Sequence, residues 1–442
     1  MNGRDATPAE ARAIDASVFR ALRYRIPELD GSWQQALAEA NDRAFRYACI
    51  ELEAKFPGLP VGANTQNVDS ATFVAGHSAP GLVGEVGGRE FLDFLLSRLR
   101  FESPAQIRLV RDRQPGDNQS IIDLEPSAYA GGHRRLRLPA LASALDSGFT
   151  AVFDGLDWRH PNSIRLAELF ERAFGCAVNI NGYLSYKDQP SFGAHWDDQE
   201  TVILQIMGSK RWRVEQPVDL SPLKSSHGDA TSGDAVWEGV VRPGDALYIP
   251  RGWGHLVNGL DELSFHYTIT ISRPNGVTLL EGALSLLEKD RRVGVQGSTI
   301  SPDAGEIAAA DLVLEPVEIR QAMRQAQAVL RFAMLRRGLS SLQQLIELER
   351  VGPFGEVRMA SPSGWLVSDP LDDEVALGAC NGAIRLPLHQ VDDLASISDG
   401  KPYDATEVEP ALLRALIGSG IFELVSCGPE GGENSSRASC VR

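Results

Sequence analysis

His195-Trp196-Asp197 stands just before the apolar run Thr201-Val202-Ile203-Leu204-Gln205-Ile206. Downstream comes Gly244-Asp245-Ala246-Leu247-Tyr248-Ile249-Pro250-Arg251-Gly252-Trp253-Gly254-His255, which places His255 58 residues beyond Asp197. Alternation along an extended chain puts His195 and Asp197 on one side of their segment, and the following strand can anchor them rigidly. Gly244-Asp245 and Pro250-Arg251-Gly252 are turn formers, and they are expected to present His255 at the rim of a barrel mouth. Two imidazoles and one carboxylate form the facial triad that holds non-haem Fe(II) and leaves open positions on one side of the metal.

A second His-x-Asp, His227-Gly228-Asp229, lies in Ser225-Ser226-His227-Gly228-Asp229-Ala230-Thr231-Ser232. That run is made of turn residues that would hold ligands loosely, so it reads as a surface loop.

The rest of the chain supports a barrel flanked by helices. From Ala177 to Ser272 short strands are broken by turns, with strands expected at 177–184, 201–206, 210–215, 246–249 and 262–272, a pattern that suggests a barrel or a sandwich. In the last of these, Ser264, His266, Thr268, Thr270 and Ser272 share one face. Leu263, Phe265, Tyr267, Ile269 and Ile271 share the other, as expected of a strand lining a polar cavity. His266 then faces inward, as an interior histidine rather than a fourth ligand. Upstream, helices are expected at 8–24, 32–56 and 91–99, a strand at 107–110, and a loop over the small residues Thr65–Gly88. Asn162 or Ser163 is expected to cap a helix running to Phe174. After Pro274 the chain reads as helical, with Ile319, Met323, Ala326, Leu330 and Met334 at steps of three and four. Residues 350–425 alternate strand-like and helical pieces, and Gly428–Arg442 reads as a disordered tail.

With 442 residues the chain exceeds one compact core. The formal charge of −16 argues against a chain that grips nucleic-acid phosphates and suits a basic partner through electrostatic steering, although acidity also serves solubility alone. The start has no apolar core of a signal peptide, and no run is long enough for a membrane helix. Five scattered cysteines without a Cys-x-x-Cys fit reduced thiols, hence a cytoplasmic location and no thiolate zinc site.

Asn181-Gly182-Tyr183-Leu184-Ser185, His195-Trp196-Asp197-Asp198 and Val202-Ile203-Leu204-Gln205-Ile206-Met207-Gly208-Ser209-Lys210-Arg211-Trp212 together resemble the JmjC-type 2-oxoglutarate oxygenases, in their ribosomal-oxygenase and cupin-like branch. The resemblance covers about 150–275. It implies an α+β fold built on a double-stranded β-helix (the cupin/JmjC barrel, 86–275), which here follows an N-terminal helical extension (1–85) that the resemblance does not reach. Beyond it the family order implies a helical dimerisation segment (276–345), a winged-helix-like domain (346–427) and the tail 428–442.

It further implies His195, Asp197 and His255 as Fe(II) ligands, and Lys210, Asn181, Tyr183 and Ser272 as contacts of the 2-oxoglutarate co-substrate. On its residues alone Lys210 reads equally as one more solvated base in Lys-Arg-Trp-Arg. The implied reaction consumes 2-oxoglutarate and O2 and hydroxylates a side chain of a protein or peptide, with a homodimer as the working form. A free amino acid or biosynthetic intermediate as substrate, and a metal-binding cupin without turnover, are the alternatives. The segment Tyr186–Ala194 departs from the Pro-x-Gly-Ser-Gln-Gly loop that ribosomal oxygenases tend to carry before the metal motif.

Overall fold

The computed structural model describes residues 12–14, 46, 48–60, 72–97, 106–125, 133–174, 176–223, 234–273, 275–278, 280–281, 356–359, 366–367, 374–379, 382–396, 402–418 and 422–426. The chain divides into two compact units, Ala48–Arg273 and a second made of Met1–Tyr47 with Pro274–Arg442.

The first unit carries the strands β1 (Val74–His77), β2 (Ile107–Arg111), β3 (Gln114–Pro115), β4 (Ile122–Glu125), β5 (His133–Leu136) and β6 (Thr150–Phe153). The chain continues through β7 (Ala177–Ser185), β8 (Glu200–Met207), β9 (Lys210–Pro217), β10 (Ala235–Val241), β11 (Asp245–Ile249), β12 (Trp253–Asn258) and β13 (Ser264–Ser272). An antiparallel eight-stranded sheet runs β1-β11-β8-β13-β7-β6-β2-β3, and a three-stranded sheet runs β10-β9-β12. Ile203, Leu247 and Ile249 of the large sheet pack against Trp212, Val214, Val241 and Trp253. The two sheets therefore face each other, a JmjC/cupin-like arrangement consistent with a double-stranded β-helix.

The outer face of the large sheet is covered by helices. Phe265, Tyr267, Ile269 and Ile271 of β13 join Leu166, Leu169, Phe170 and Phe174 of the helix Pro161–Phe174 in one apolar core. Each such side chain removed from water contributes roughly 1.5–3 kcal/mol. The expected two-faced β13 is thus observed, with its apolar face under the helices and His266 on the barrel side.

Five expected strands are present with shifted ends, as β7, β8, β9, β11 and β13. Two expectations change. The helix to Phe174 starts at Pro161, a residue pre-organised for the first helical position. Asn162 and Ser163 therefore lie inside the first turn instead of capping it, and the Asn162 amide donates to the Glu85 carbonyl. The small residues of the expected loop 65–88 include a strand, Val74–His77, because its backbone pairs with Asp245–Tyr248 at the sheet edge. A short helix, Leu82–Glu85, follows it, and the helix expected at 91–99 spans Gly88–Ser97.

In the second unit Arg12–Ile14 is a strand, within a stretch expected to be helical. It pairs with Ala383–Arg385 in a four-stranded antiparallel sheet completed by Glu374–Ala379 and Leu366–Val367. Glu356–Met359 lies between Tyr403–Asp404 and Phe422–Ser426, and a helix spans Pro410–Gly418. Of the expected helix 32–56, residues 46 and 48–55 are helical. Most of the expected dimerisation segment, His227–Asp229 and the tail lie outside the described residues. Among the described residues no helix is long and apolar enough to cross a membrane.

Candidate metal centre

His195 and His255 face each other across a two-residue antiparallel bridge. The His195 amide donates to the His255 carbonyl at 3.0 Å and the His255 amide to the His195 carbonyl at 2.8 Å. This reciprocal pair joins the segment entering β8 to β12, and it sets the imidazole centroids 4.2 Å apart. Asp197 is held by its own main chain, whose carbonyl accepts from Gly252 N at 2.7 Å. Its carboxylate comes within 3.8 Å of His255 Nε2. One donor atom from each of His195, Asp197 and His255 lies within 4.8 Å of the others.

The turn 250–252 ends β11 as expected, and His255 sits inside the next strand, β12. It is buried, and β12 pairs it with Val214 of β9. Both imidazoles are already oriented. His195 Nδ1 lies 3.0 Å from the Gly193 carbonyl, and His255 Nδ1 lies 3.2 Å from the Trp253 carbonyl. A carbonyl only accepts, so each Nδ1 is the donor, and Nε2 is the nitrogen left to face a metal. Metal-binding histidines are ordinarily fixed in this way. Two imidazoles and a carboxylate with donor atoms this close make a donor set that fits a divalent transition metal.

Beside the triad lies a group of buried polar and aromatic side chains. Lys210 opens β9, is 2% exposed, and donates from Nζ to the Tyr183 carbonyl at 2.9 Å. Burial lowers its ammonium pKa to about 7, and it makes no ion pair among the described residues. The Tyr183 ring lies parallel to His266, with centroids 4.9 Å apart, and Trp212 meets the rings of both His266 and His255. Burial, with Lys210 as a lesser cause, holds His266 well below the ordinary histidine pKa, so it is neutral. His266 Nδ1 and Trp212 Nε1 are buried without a hydrogen-bond partner. An unpaired buried cation beside orphaned polar atoms fits a small anion that would satisfy them.

The Tyr183 phenol is pushed above its ordinary pKa by burial first and by the Asp197 carboxylate second, with Arg108 opposing. Asn181 accepts from Gly155 N at 3.0 Å and bonds the same phenol. Lys210, Tyr183, Asn181 and His266 thus form one group next to the triad. Ser272 is not brought to it. It pairs with Ala177 at the far end of β13, six residues and about 20 Å from His266 along the strand. The inward serine at the other end is Ser264, whose hydroxyl lies 3.1 Å from that of Ser185.

Two neighbours carried no sequence signal. Arg108 forms a double hydrogen bond to Asp154 at 2.6 and 2.8 Å, on β2 and just past β6, within electrostatic reach of Tyr183. Phe192 packs its ring against both Tyr183 and His195.

The JmjC domain family matches this chain over residues 157–279. The bifunctional lysine-specific demethylase and histidyl-hydroxylase NO66 of Drosophila persimilis is 34% identical over 130 residues, 28% of this chain and 19% of that protein. The Caenorhabditis elegans NO66 is 35% identical over 116 residues, 24% of this chain and 16% of that protein. Ribosomal oxygenase 1 of Rattus norvegicus is 35% identical over 133 residues, 28% of this chain and 22% of that protein. The chain therefore spans about a fifth of the length of these relatives. The crystal structure of the Escherichia coli ribosomal oxygenase YcfD aligns with 82% of this chain and 98% of its own, at 17% identity and a TM-score of 0.46. The segment that matches the JmjC domain family is the one that brings His195, Asp197 and His255 together.

Proposed function

We propose that this protein is an Fe(II)- and 2-oxoglutarate-dependent oxygenase that hydroxylates a side chain of a protein or peptide. The observation that carries the reading is the occurrence, in one barrel, of the oriented triad and a buried Lys210 ammonium without an ion-pair partner among the described residues. A barrel that only bound metal would have no use for a buried cation facing an orphaned polar wall. When bound, iron supplies the oxidant, coupling conversion of 2-oxoglutarate and O2 to succinate and CO2 with insertion of one oxygen atom into a substrate C–H bond.

The chain's own residues hold and orient. His195, Asp197 and His255 would hold the metal, through a ring nitrogen of each histidine and a carboxylate oxygen. Lys210 receives the distal carboxylate of 2-oxoglutarate as a point charge, with Tyr183, Asn181 and His266 lining its path. Trp212 and Val214 keep water from the inner end. Phe192, beside His195, and the half-exposed Arg108–Asp154 pair border the side on which a substrate would enter.

The relatives' names point to a histidyl hydroxylase and to ribosomal oxygenases, which supports a side chain of a basic ribosomal protein as the target. The net charge of −16 would steer such a partner. The helical pattern of 276–345 and the alternation after 350 support a dimerisation segment followed by a winged-helix-like domain, hence a homodimer. Free thiols at Cys49 and Cys176 suit a cytoplasmic location.

The test is incubation of unmodified ribosomal proteins with the enzyme, Fe(II), ascorbate and 2-oxoglutarate, read by intact mass. The reading expects a gain of one oxygen on one protein, absent without 2-oxoglutarate. No gain on any ribosomal protein while 2-oxoglutarate is still consumed would move the substrate to a dedicated peptide or small molecule.

A further inference from the structure

Among the described residues three non-glycines hold a left-handed backbone: Asp112 (φ 47°), Arg113 (φ 63°) and Asp261 (φ 54°). All three grip the segment 187–194 that leads into His195. Asp112 N donates to the Pro190 carbonyl at 3.0 Å and Arg113 N to the Ser191 carbonyl at 2.9 Å. Asp261 accepts from Asp188 N at 3.3 Å, while Asn258 donates to the Asp188 carboxylate at 3.0 Å. Backbone strain of this kind persists where the surroundings over-determine it and tends to gather at functional sites. Here it converges on one short loop.

We propose that Arg113 is a positioning residue for the metal ligand His195. The proposal rests on the reading of His195, Asp197 and His255 as a metal centre. Arg111 pairs with Gln114, so Asp112 and Arg113 are the two central residues of a tight β2–β3 hairpin. Positive φ at both is the type I′ turn that Asn-Gly ordinarily serves. From that turn the guanidinium reaches the loop with two donors. Nε donates to the Phe192 carbonyl at 2.9 Å and Nη2 to the Ala194 carbonyl.

Between those two carbonyls stands Gly193 (φ 65°), whose own carbonyl takes the proton of His195 Nδ1 at 3.0 Å. Three successive carbonyls are therefore directed, the outer two by Arg113 and the middle one toward the imidazole. A Cβ at Gly193 would lie 3.0 Å from Arg113 Nε, so the glycine is needed for the approach as well as for its φ. Releasing the outer carbonyls frees the peptide planes around Gly193 and with them the acceptor that sets the ring of His195. A lysine could not replace the fork, because one ammonium cannot hold two carbonyls in fixed directions.

The experiment uses the full chain, Co2+ as the probe, and three variants: Arg113→Ala, Arg113→Lys and the double variant Asp112→Asn/Arg113→Gly. The double variant supplies the preferred type I′ pair, so it keeps or raises the metal-free melting temperature while removing the guanidinium. Expected for it is a loss of Co2+ affinity of about 10–100-fold, the usual consequence of removing a partner of a metal-bound histidine. The visible Co2+ band should change with it. Amide exchange in the metal-free protein should accelerate at residues 191–196 and stay slow at 202–206, and Arg113→Lys should restore neither.

A double variant that keeps the parent's Co2+ affinity, visible band and exchange at 191–196 would overturn the proposal. A parent that binds no Co2+ would instead overturn the metal reading beneath it, and measuring the parent first separates the two failures.

Discussion

Lys210 Nζ lies 2.9 Å from the main-chain carbonyl of Tyr183, which accepts a hydrogen bond from an ammonium only 2% exposed. One dipole does not replace the hydration of a full charge, so burial draws the pKa down to about 7. A dianionic co-substrate binds the protonated form. Its affinity should then be full below about pH 7 and fall about tenfold per pH unit above it. Calorimetric titration of 2-oxoglutarate into Co2+-loaded protein from pH 6 to 8.5 checks this. Lys210→Met should remove the slope and weaken binding by about 2–5 kcal/mol, and an unchanged slope in that variant would assign the titration elsewhere. In the co-substrate-free protein burial of Lys210 costs stability in full below about pH 7; between there and 10.5 the unfolded chain holds the proton that folded Lys210 has lost, so stability climbs as pH rises through that window.

Metal binding should appear as stabilisation, because the triad is assembled only in the folded barrel. At a hundredfold excess over its dissociation constant a ligand adds about 2.7 kcal/mol. Co2+ should therefore raise the melting temperature of the parent by several degrees and leave His255→Ala unmoved. Differential scanning calorimetry with and without Co2+ reads this directly. A metal-induced shift of equal size in His255→Ala would place the ion at another site.

Gly252 joins the two halves of the site. Its amide holds the Asp197 carbonyl, its φ is 75°, and a Cβ there would lie 1.6 Å from the Asp219 carbonyl oxygen. Gly252→Ala should cost about 3 kcal/mol or more, from overpacking and left-handed strain together. It should also weaken metal binding. Urea unfolding of the metal-free protein measures the first effect and Co2+ titration the second.

Glu200, at the head of the strand after the His-x-Asp motif, is 1% exposed and bonded by Arg273 at 2.6 Å and by the Tyr248 hydroxyl at 2.9 Å. Arg273→Ala leaves a buried carboxylate without its cation. A loss of about 3–5 kcal/mol is expected, partly recovered by adding Glu200→Gln. If the single and double variants unfold at the same urea concentration, the charge of Glu200 is not what the arginine compensates.

The barrel was legible wherever local pattern and buried face agree. β13 alternates polar and apolar residues because one face meets the helices and the other the polar group beside the triad, and the triad was legible because its spacing and turn residues carry the chemistry. Val74–His77 was not legible: Val-Ala-Gly-His has no strand signature of its own and becomes a strand by pairing with Asp245–Tyr248. Arg12–Ile14 was hidden for the same reason, since its partners lie some 370 residues away. Arg108–Asp154 and Arg113 were invisible as site neighbours, because nothing local marks an arginine whose partner is brought to it by sheet register. Ser272, implied as a co-substrate contact by the resemblance alone, lies at the end of β13 that pairs with Ala177, and no local pattern marks how far along a strand a site extends.

The most direct test of the central claim is succinate formation from 2-oxoglutarate under air, with Fe(II) and ascorbate, by the parent and by His195→Ala. Succinate made by the parent and abolished by the substitution is the predicted result. A parent that binds Fe(II) but neither binds nor consumes 2-oxoglutarate would contradict the account and leave a metal-binding barrel in its place.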